Sequence, residues 1–246
     1  MKKFLLAVCI LHSYLFAIVS IKPLDIGEES VGFSGDVMLA VSSNRGNSDT
    51  DAIDTGLALQ YDANQTLTFI KASYKYGEAN SETNIDKSFI HLRNIYKIST
   101  HFDWESFAQH QRNAFQSLTS RLLLGGGTRI NGYLPLLGGK AYFGLGAFHV
   151  QEEETSLEIT RFTRANIYLS YKLKATKNLS MAVVSYYQPR FGNTEDYLLL
   201  TTAQFDFTIN KSFALKLSIN HIMDSIPAQG VSTYDFSQTT ALKYNF

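Results

Sequence analysis

Four arginines, Arg93, Arg121, Arg129 and Arg164, fall on one face of their segments if the backbone is extended, because alternate residues then point the same way. Asp103, Glu105 and Gln109 fall on that face too. Guanidinium groups beside carboxylates can do one of two things. They can hold an anion through forked N–H donors, or they can close an ion-pair network that binds nothing. The same face adds Lys71, Lys75, Lys87, Lys97, Lys140, Lys172, Arg190, Lys216 and Lys243, against Asp36, Asp54, Asp62, Asp206 and Asp235. A ring of cations inside a pore selects anions. Ion pairing and side-chain filling would instead close it. Both readings stand. Gly125 and Gly127, between Arg121 and Arg129, leave room for long neighbouring side chains or for a ligand.

Other chemistries fit less well. Nucleophilic hydrolysis needs a serine beside a histidine base. His110, His149 and His221 fall on the opposite face, as do Ser106 and Ser185, but no His-Ser or His-x-Ser pair follows residue 20. The expectation is a protein that is not an enzyme, with a lipid hydrolase as the alternative. Gly125-Gly126-Gly127 lacks the Gly-Lys-Ser/Thr of a phosphate loop. Asn47, Asp49 and Asp51 have calcium-loop spacing, yet Ala52 stands where glycine is needed and Ala58 where glutamate is needed. They read more simply as a tight turn. No metal and no cofactor is expected.

The elements that must position these residues are strands. Residues 1–20 read as a secretory signal: Lys2 and Lys3, an apolar run from Phe4 to Val19, then small residues at Ala17 and Ser20. Its removal takes away Cys9, the one cysteine, so the mature chain has no disulfide. Residues 21–246 form one domain. The whole chain carries 22 basic and 22 acidic residues, which argues against a nucleic-acid partner. Alternation of apolar and polar residues is strong, and it predicts strands at 31–43, 51–62, 65–77, 86–98, 102–112, 120–132, 139–151, 160–173, 178–189, 196–209, 212–223 and 233–246. Leu67, Phe69, Tyr142 and Phe148 break the pattern by falling on the polar face.

Connections are expected to alternate in length. Short turns lie at 62–65, 99–101, 134–139, 175–178 and 210–211; longer polar loops lie at 43–50, 77–86, 113–120, 152–158, 190–195 and 224–231. The long loops would hold acids such as Asp49, Asp51, Glu78, Glu82, Glu152, Glu153, Glu154, Glu195 and Asp196, leaving the interior net basic. Short turns on one side and long loops on the other suit a membrane barrel. Such a sheet must close, because an unpaired edge cannot survive in hydrocarbon. Aromatic residues cluster near both strand ends. Phe33, Tyr61, Tyr96, Trp104, Phe143, Phe213, Tyr244 and Phe246 lie toward the short turns, and Tyr74, Tyr76, Tyr187, Tyr197, Tyr234 and Phe236 toward the long loops. Two belts match interfacial girdles. A soluble β-sandwich explains the alternation but not the belts. The fold class expected is all-β: a closed antiparallel up-and-down transmembrane β-barrel of about 12 strands.

The terminal residues Leu242, Tyr244 and Phe246 resemble the closing signature of bacterial outer-membrane barrels, which their assembly machinery recognises. Two further stretches are more specific. One is Gly46-Asn47-Ser48-Asp49-Thr50 after the first strand. The other is Trp104-Glu105-Ser106-Phe107-Ala108-Gln109, leading through Asn113, Phe115 and Leu118 to Arg121, Leu124, Gly125, Gly127 and Arg129. With these the mature chain resembles the domain-of-unknown-function 481 (DUF481) family of salt-induced outer-membrane proteins. That resemblance implies a location in the outer membrane of a Gram-negative bacterium but no established activity. The implied partners are outer-membrane lipid and lipopolysaccharide, the assembly machinery and small solutes, with a monomeric state. Two roles stay open: a narrow channel for small, anionic solutes, or a structural, stress-related envelope barrel with a plugged lumen.

Overall fold

A computed structural model describes residue 24 and residues 31–44, 50–79, 82–114, 118–134, 138–154, 159–227 and 232–246. The signal segment 1–20, most of the 46–50 motif and Asp49 lie outside them.

Twelve strands follow one another: β1 Gly32–Asn44, β2 Thr50–Asp62, β3 Thr66–Ala79, β4 Glu82–Lys97, β5 Phe102–Asn113, β6 Leu118–Leu134, β7 Gly139–Glu154, β8 Ile159–Lys174, β9 Leu179–Arg190, β10 Asn193–Thr208, β11 Phe213–Asp224 and β12 Tyr234–Asn245. Each pairs antiparallel with its sequence neighbours, and β12 returns to β1 to close the barrel. The closing register runs from Asp36–Asn245 to Leu39–Leu242. Gly35 and Phe246 extend it by exchanging two backbone hydrogen bonds of 3.1 Å. Every strand is thereby paired on both sides, as a sheet in lipid requires. Both ends of the sheet lie at the short-turn rim, because the strand number is even.

The loops differ from the expected lengths. Residues 190–195 are not a long loop: β9 and β10 turn over through Phe191 and Gly192, the latter at φ +83°. β3 and β4 are separated by positions 80 and 81 alone. Polar composition was the misleading signal, because strands that emerge from the membrane can stay paired while carrying polar side chains on both faces. The expected segregation of acids into loops fails for the same reason. Glu152, Asp196 and Asp224 belong to strands and turn inward, where they face arginines.

The short turns use residues suited to them. Asp62 Oδ1 accepts from the Asn64 backbone N–H at 2.8 Å, and Asn64 takes φ 65°, which asparagine tolerates. Asn210 Oδ1 caps Ser212 and Phe213 N–H, each at 2.9 Å. Outward, aromatic pairs lie where the belts were expected: Phe33–Tyr61 with centroids 4.8 Å apart, Phe213–Tyr244 at 5.3 Å and Tyr187–Tyr197 at 5.6 Å. Leu242, Tyr244 and Phe246 all face out and are exposed.

The core of this protein is its lumen. Leu67, Phe69, Tyr142 and Phe148, which broke the sequence pattern, are buried inward residues. Leu67, Phe69, Phe89 and Ile95 form one apolar cluster, against which Leu24 packs. Phe107, Leu123, Phe148 and Val150 form a second. Tyr142, Tyr168, Val184, Tyr186, Leu198, Leu200 and Ile222 form a third. The interior of β3–β10, with Ile222 of β11, is therefore filled like the inside of a soluble protein.

Candidate functional site

The register of β4, β5 and β6 brings the first charged tier together. Arg93 pairs across to Phe107, Glu105 to Gly127, and Asp103 to Arg129. Arg129 donates from Nε and Nη2 to Asp103 Oδ2, at 3.0 and 2.8 Å, while Nη1 donates to the Leu24 carbonyl at 2.9 Å. Its Nη1 also lies 3.3 Å from Glu105 Oε1 in an ion pair, though without hydrogen-bond geometry, so that oxygen has no donor of its own. Arg93 Nη1 lies 3.7 Å from Glu105 Oε2. All four side chains are buried.

Partners from the far wall complete this tier. The Tyr168 hydroxyl of β8 donates to Glu105 Oε2 at 2.9 Å. Tyr186 of β9 is hydrogen-bonded to the Arg93 guanidinium of β4. β4 and β9 are five strands apart in the closed order, so this contact crosses the lumen. His91 links the tier to Gln109. Arg93 Nε donates to His91 Nε2 at 3.2 Å, so His91 Nδ1 is the donor to Gln109 Oε1 at 2.8 Å. Those roles are those of a neutral imidazole. His91 also stacks among Phe69, Phe89 and Phe107, with centroids 5.7–6.1 Å away.

Arg121 and Arg164 do not join this tier. Arg121 Nε donates to Glu152 Oε2 at 2.7 Å. Arg164 Nη2 donates to Asp196 Oδ1 at 2.5 Å, and its Nη1 donates to the carbonyls of Gln188 and Asp196, both at 3.0 Å. Arg190 adds a contact of 3.3 Å to the same Asp196. The four arginines thus form two tiers, one toward the short turns and one toward the long-loop rim. Between them lies a cavity of about 30 Å³ lined by His91, Arg93, Phe107, Gln109, Leu123, Phe148, Asn166, Tyr186, Gln188 and Leu200. It has room for ordered water and little more.

Sequence reasoning missed His91, Tyr168, Tyr186, Glu152 and Asp196. Period-two parity puts all five inward, so the face was legible; which wall each would meet across the lumen was not. The inward glycines have a definite use. A Cβ on Gly144 would run into the ring of Tyr168, and one on Gly125 would lie 2.5 Å from Phe148 Cβ. These positions seat rings, not a ligand.

The opposite half of the interior is built differently. Many inward positions on β1, β2, β11 and β12 are short, with Ser34, Ala40, Gly56, Ala58, Ser218, Asn220, Ser237 and Thr239 each half-buried; Met38, Gln60 and Ile222 are the larger inward side chains of these strands. Among them stand Lys75, Lys216 and Lys243, with Lys87 of β4 beside them, and Asp36 and Asp54, also half-buried. Lys243 Nζ lies 3.4 Å from Asp36 Oδ2.

On the outer surface, His110 Nε2 lies 3.1 Å from Ser120 Oγ, and His149 Nδ1 lies 3.3 Å from Thr163 Oγ1. Ser185 instead bonds Thr201 at 3.0 Å. Among the described residues, no carboxylate bonds the second ring nitrogen of His110. Nor do three His, Cys, Asp or Glu side chains among them form a group that could hold a metal ion.

The family model described as "Protein of unknown function, DUF481" matches residues 37–246. The chain belongs to the DUF481 family. No curated protein matches it in sequence. Solved structures match it in shape. The translocator domain of the autotransporter NalP from Neisseria meningitidis is 9% identical, with 90% of this chain and 91% of that one covered and a TM-score of 0.52. The NanC porin is 8% identical over 87% of this chain and 98% of that one, with a TM-score of 0.49. The KdgM porin is 10% identical over 86% and 96%, with a TM-score of 0.45. At such identities the likeness concerns the fold, which is that of outer-membrane β-barrels.

Proposed function

We propose that this DUF481 protein is a monomeric, non-enzymatic barrel of the outer membrane of a Gram-negative bacterium that passes small solutes along one side of its lumen. The observation that carries this is the contrast between its two interior walls. Bulky, interlocked side chains fill β3–β10, while β11, β12, β1 and β2 present mostly short side chains, with Lys216 and Lys243 on them and Lys75 and Lys87 beside them. A path along that wall would be narrow. Lysine stems are long and carry their ammonium groups toward the axis, whereas aspartate carboxylates stay near the wall. The path would therefore favour small anions weakly.

The test is single-channel recording on the purified, refolded barrel in planar bilayers. Small steps with a reversal potential shifted toward that of the anion are expected. Silence from barrels whose insertion is confirmed by protease protection would remove the channel reading. A second reading then takes its place: a plugged structural barrel of the envelope, favoured by the Arg93–Tyr186 contact that crosses the lumen.

A further inference from the structure

The outward aromatic belt near the long loops has a gap. Tyr74 and Tyr76 supply it on β3, Tyr187 on β9, Tyr197 on β10, and Tyr234 and Phe236 on β12. β1, β2, β4 and β11 lack such rings as well, but on β1, β2 and β4 the exposed outward residues Val41, Ile53 and Ile90 are apolar. Across β5, β6, β7 and β8, by contrast, polar and cationic side chains alternate with leucines. The register joins His110 to Leu122, Leu122 to Gln151 and Gln151 to Arg161. The next row toward the membrane joins Leu124 to His149 and His149 to Thr163. Neighbouring strands are about 5 Å apart, so these side chains form one continuous patch.

Its chemistry is amphipathic. His110, His149, Gln151 and Arg161 are exposed, and so are Leu122 (48%) and Leu124 (66%) between them. Arg161 Nε donates to Gln151 Oε1 at 3.0 Å, a neutral acceptor that does not offset its charge. Arg112, nearer the rim, is offset by Asp86 at 3.1 Å. Aromatic rings elsewhere on the belt suit the polar–apolar boundary of a bilayer. Across β5–β8 a guanidinium, two imidazoles and a hydroxyl instead stand in the same rows as two bare leucines. Guanidinium groups are the preferred phosphate donors of proteins.

We propose that this patch binds the phosphorylated glucosamine headgroup of an outer-leaflet glycolipid of the lipid A type. Arg161 and His149 hold a phosphate, the Thr163 hydroxyl assists, and Leu122 and Leu124 take the first acyl segments. The site rests on the outer-membrane placement above but not on conduction. Glu153, paired with Ser120 one step nearer the rim, is an acid on this face that weakens it.

The test uses full mature protein folded in detergent micelles, titrated with bisphosphorylated lipid A, with fully dephosphorylated lipid A and with inorganic phosphate. Binding is read by native mass spectrometry and by the thermal midpoint. Bisphosphorylated lipid A should bind and raise the midpoint; the dephosphorylated lipid and free phosphate should each bind at least about tenfold more weakly, a factor worth about 1.4 kcal/mol. Arg161→Gln combined with His149→Gln should remove most of the preference, and Glu153→Gln should strengthen it, with the folded fraction unchanged in both. Equal binding of the dephosphorylated lipid, or an unchanged double variant, overturns the site. Cleavage of an acyl chain dependent on Ser120 would replace it with a hydrolase. The failure modes are separate, because silence in bilayers with intact lipid A preference leaves the site standing and removes only the channel.

Discussion

The Tyr168 hydroxyl of β8 reaches the Glu105 carboxylate of β5 at 2.9 Å inside the barrel. That bond ties two walls that are three strands apart, and it fixes the one acid shared by Arg93 and Arg129. If Glu105 becomes Gln, both guanidinium groups lose that charge while staying buried, although Asp103 still serves Arg129. Breaking a buried pair costs about 3–5 kcal/mol. Tyr168→Phe removes one hydrogen bond to a charged acceptor, a change of about 1.5–3 kcal/mol. Urea unfolding in micelles should rank Glu105→Gln as the more damaging. Equal midpoints for wild type and Glu105→Gln would show that the tier bears no load.

Gly144 is required by the Tyr168 ring lying over it. Gly144→Leu should displace that ring and break its bond to Glu105, at a cost of at least about 1–3 kcal/mol from overpacking. The loss should shrink in the background Tyr168→Ala, because the clash is gone. A cycle of the two substitutions measures that coupling.

If solutes pass along the β11–β2 wall, the lysines on it and beside it set the selectivity. Lys75→Glu and Lys216→Glu should move the reversal potential toward that of cations. Arg164→Gln, on the filled wall, should leave selectivity alone and lower stability. The opposite pattern in salt-gradient recordings would place the path elsewhere.

Phe246 closes the seam through its backbone and faces lipid with its side chain. Phe246→Ala keeps the two backbone bonds to Gly35. Refolding in micelles should therefore proceed nearly as in wild type, while the amount of folded barrel in cell envelopes falls several-fold. Equal loss in both settings would assign the ring to seam stability alone and not to recognition during assembly.

How legible was all this? Period-two alternation located all twelve strands, with ends shifted by up to four residues, as at β4, which begins at Glu82 in place of 86. It also assigned every arginine of the two tiers to the interior. The shifts arise where strands leave the membrane, since alternation fades there while backbone pairing continues. Asp196 shows the consequence. Its polar neighbours suggested a loop, yet β10 reaches back to Asn193 through a register shift between Asn193 and Tyr197, and Asp196, within that irregularity, faces Arg164.

By itself, the sequence determined the face of each side chain, the number of strands and the need for closure, because these follow from local alternation and from the rule that backbone groups in lipid must be paired. Only the tertiary structure decided the contacts across the lumen. Arg93 meets Tyr186, and Tyr168 meets Glu105, because the barrel's curvature and register bring distant strands face to face. No spacing along the chain encodes that distance. The same holds for the split between filled and open walls: side-chain size is written in the sequence, but which strands share a wall is set by closure.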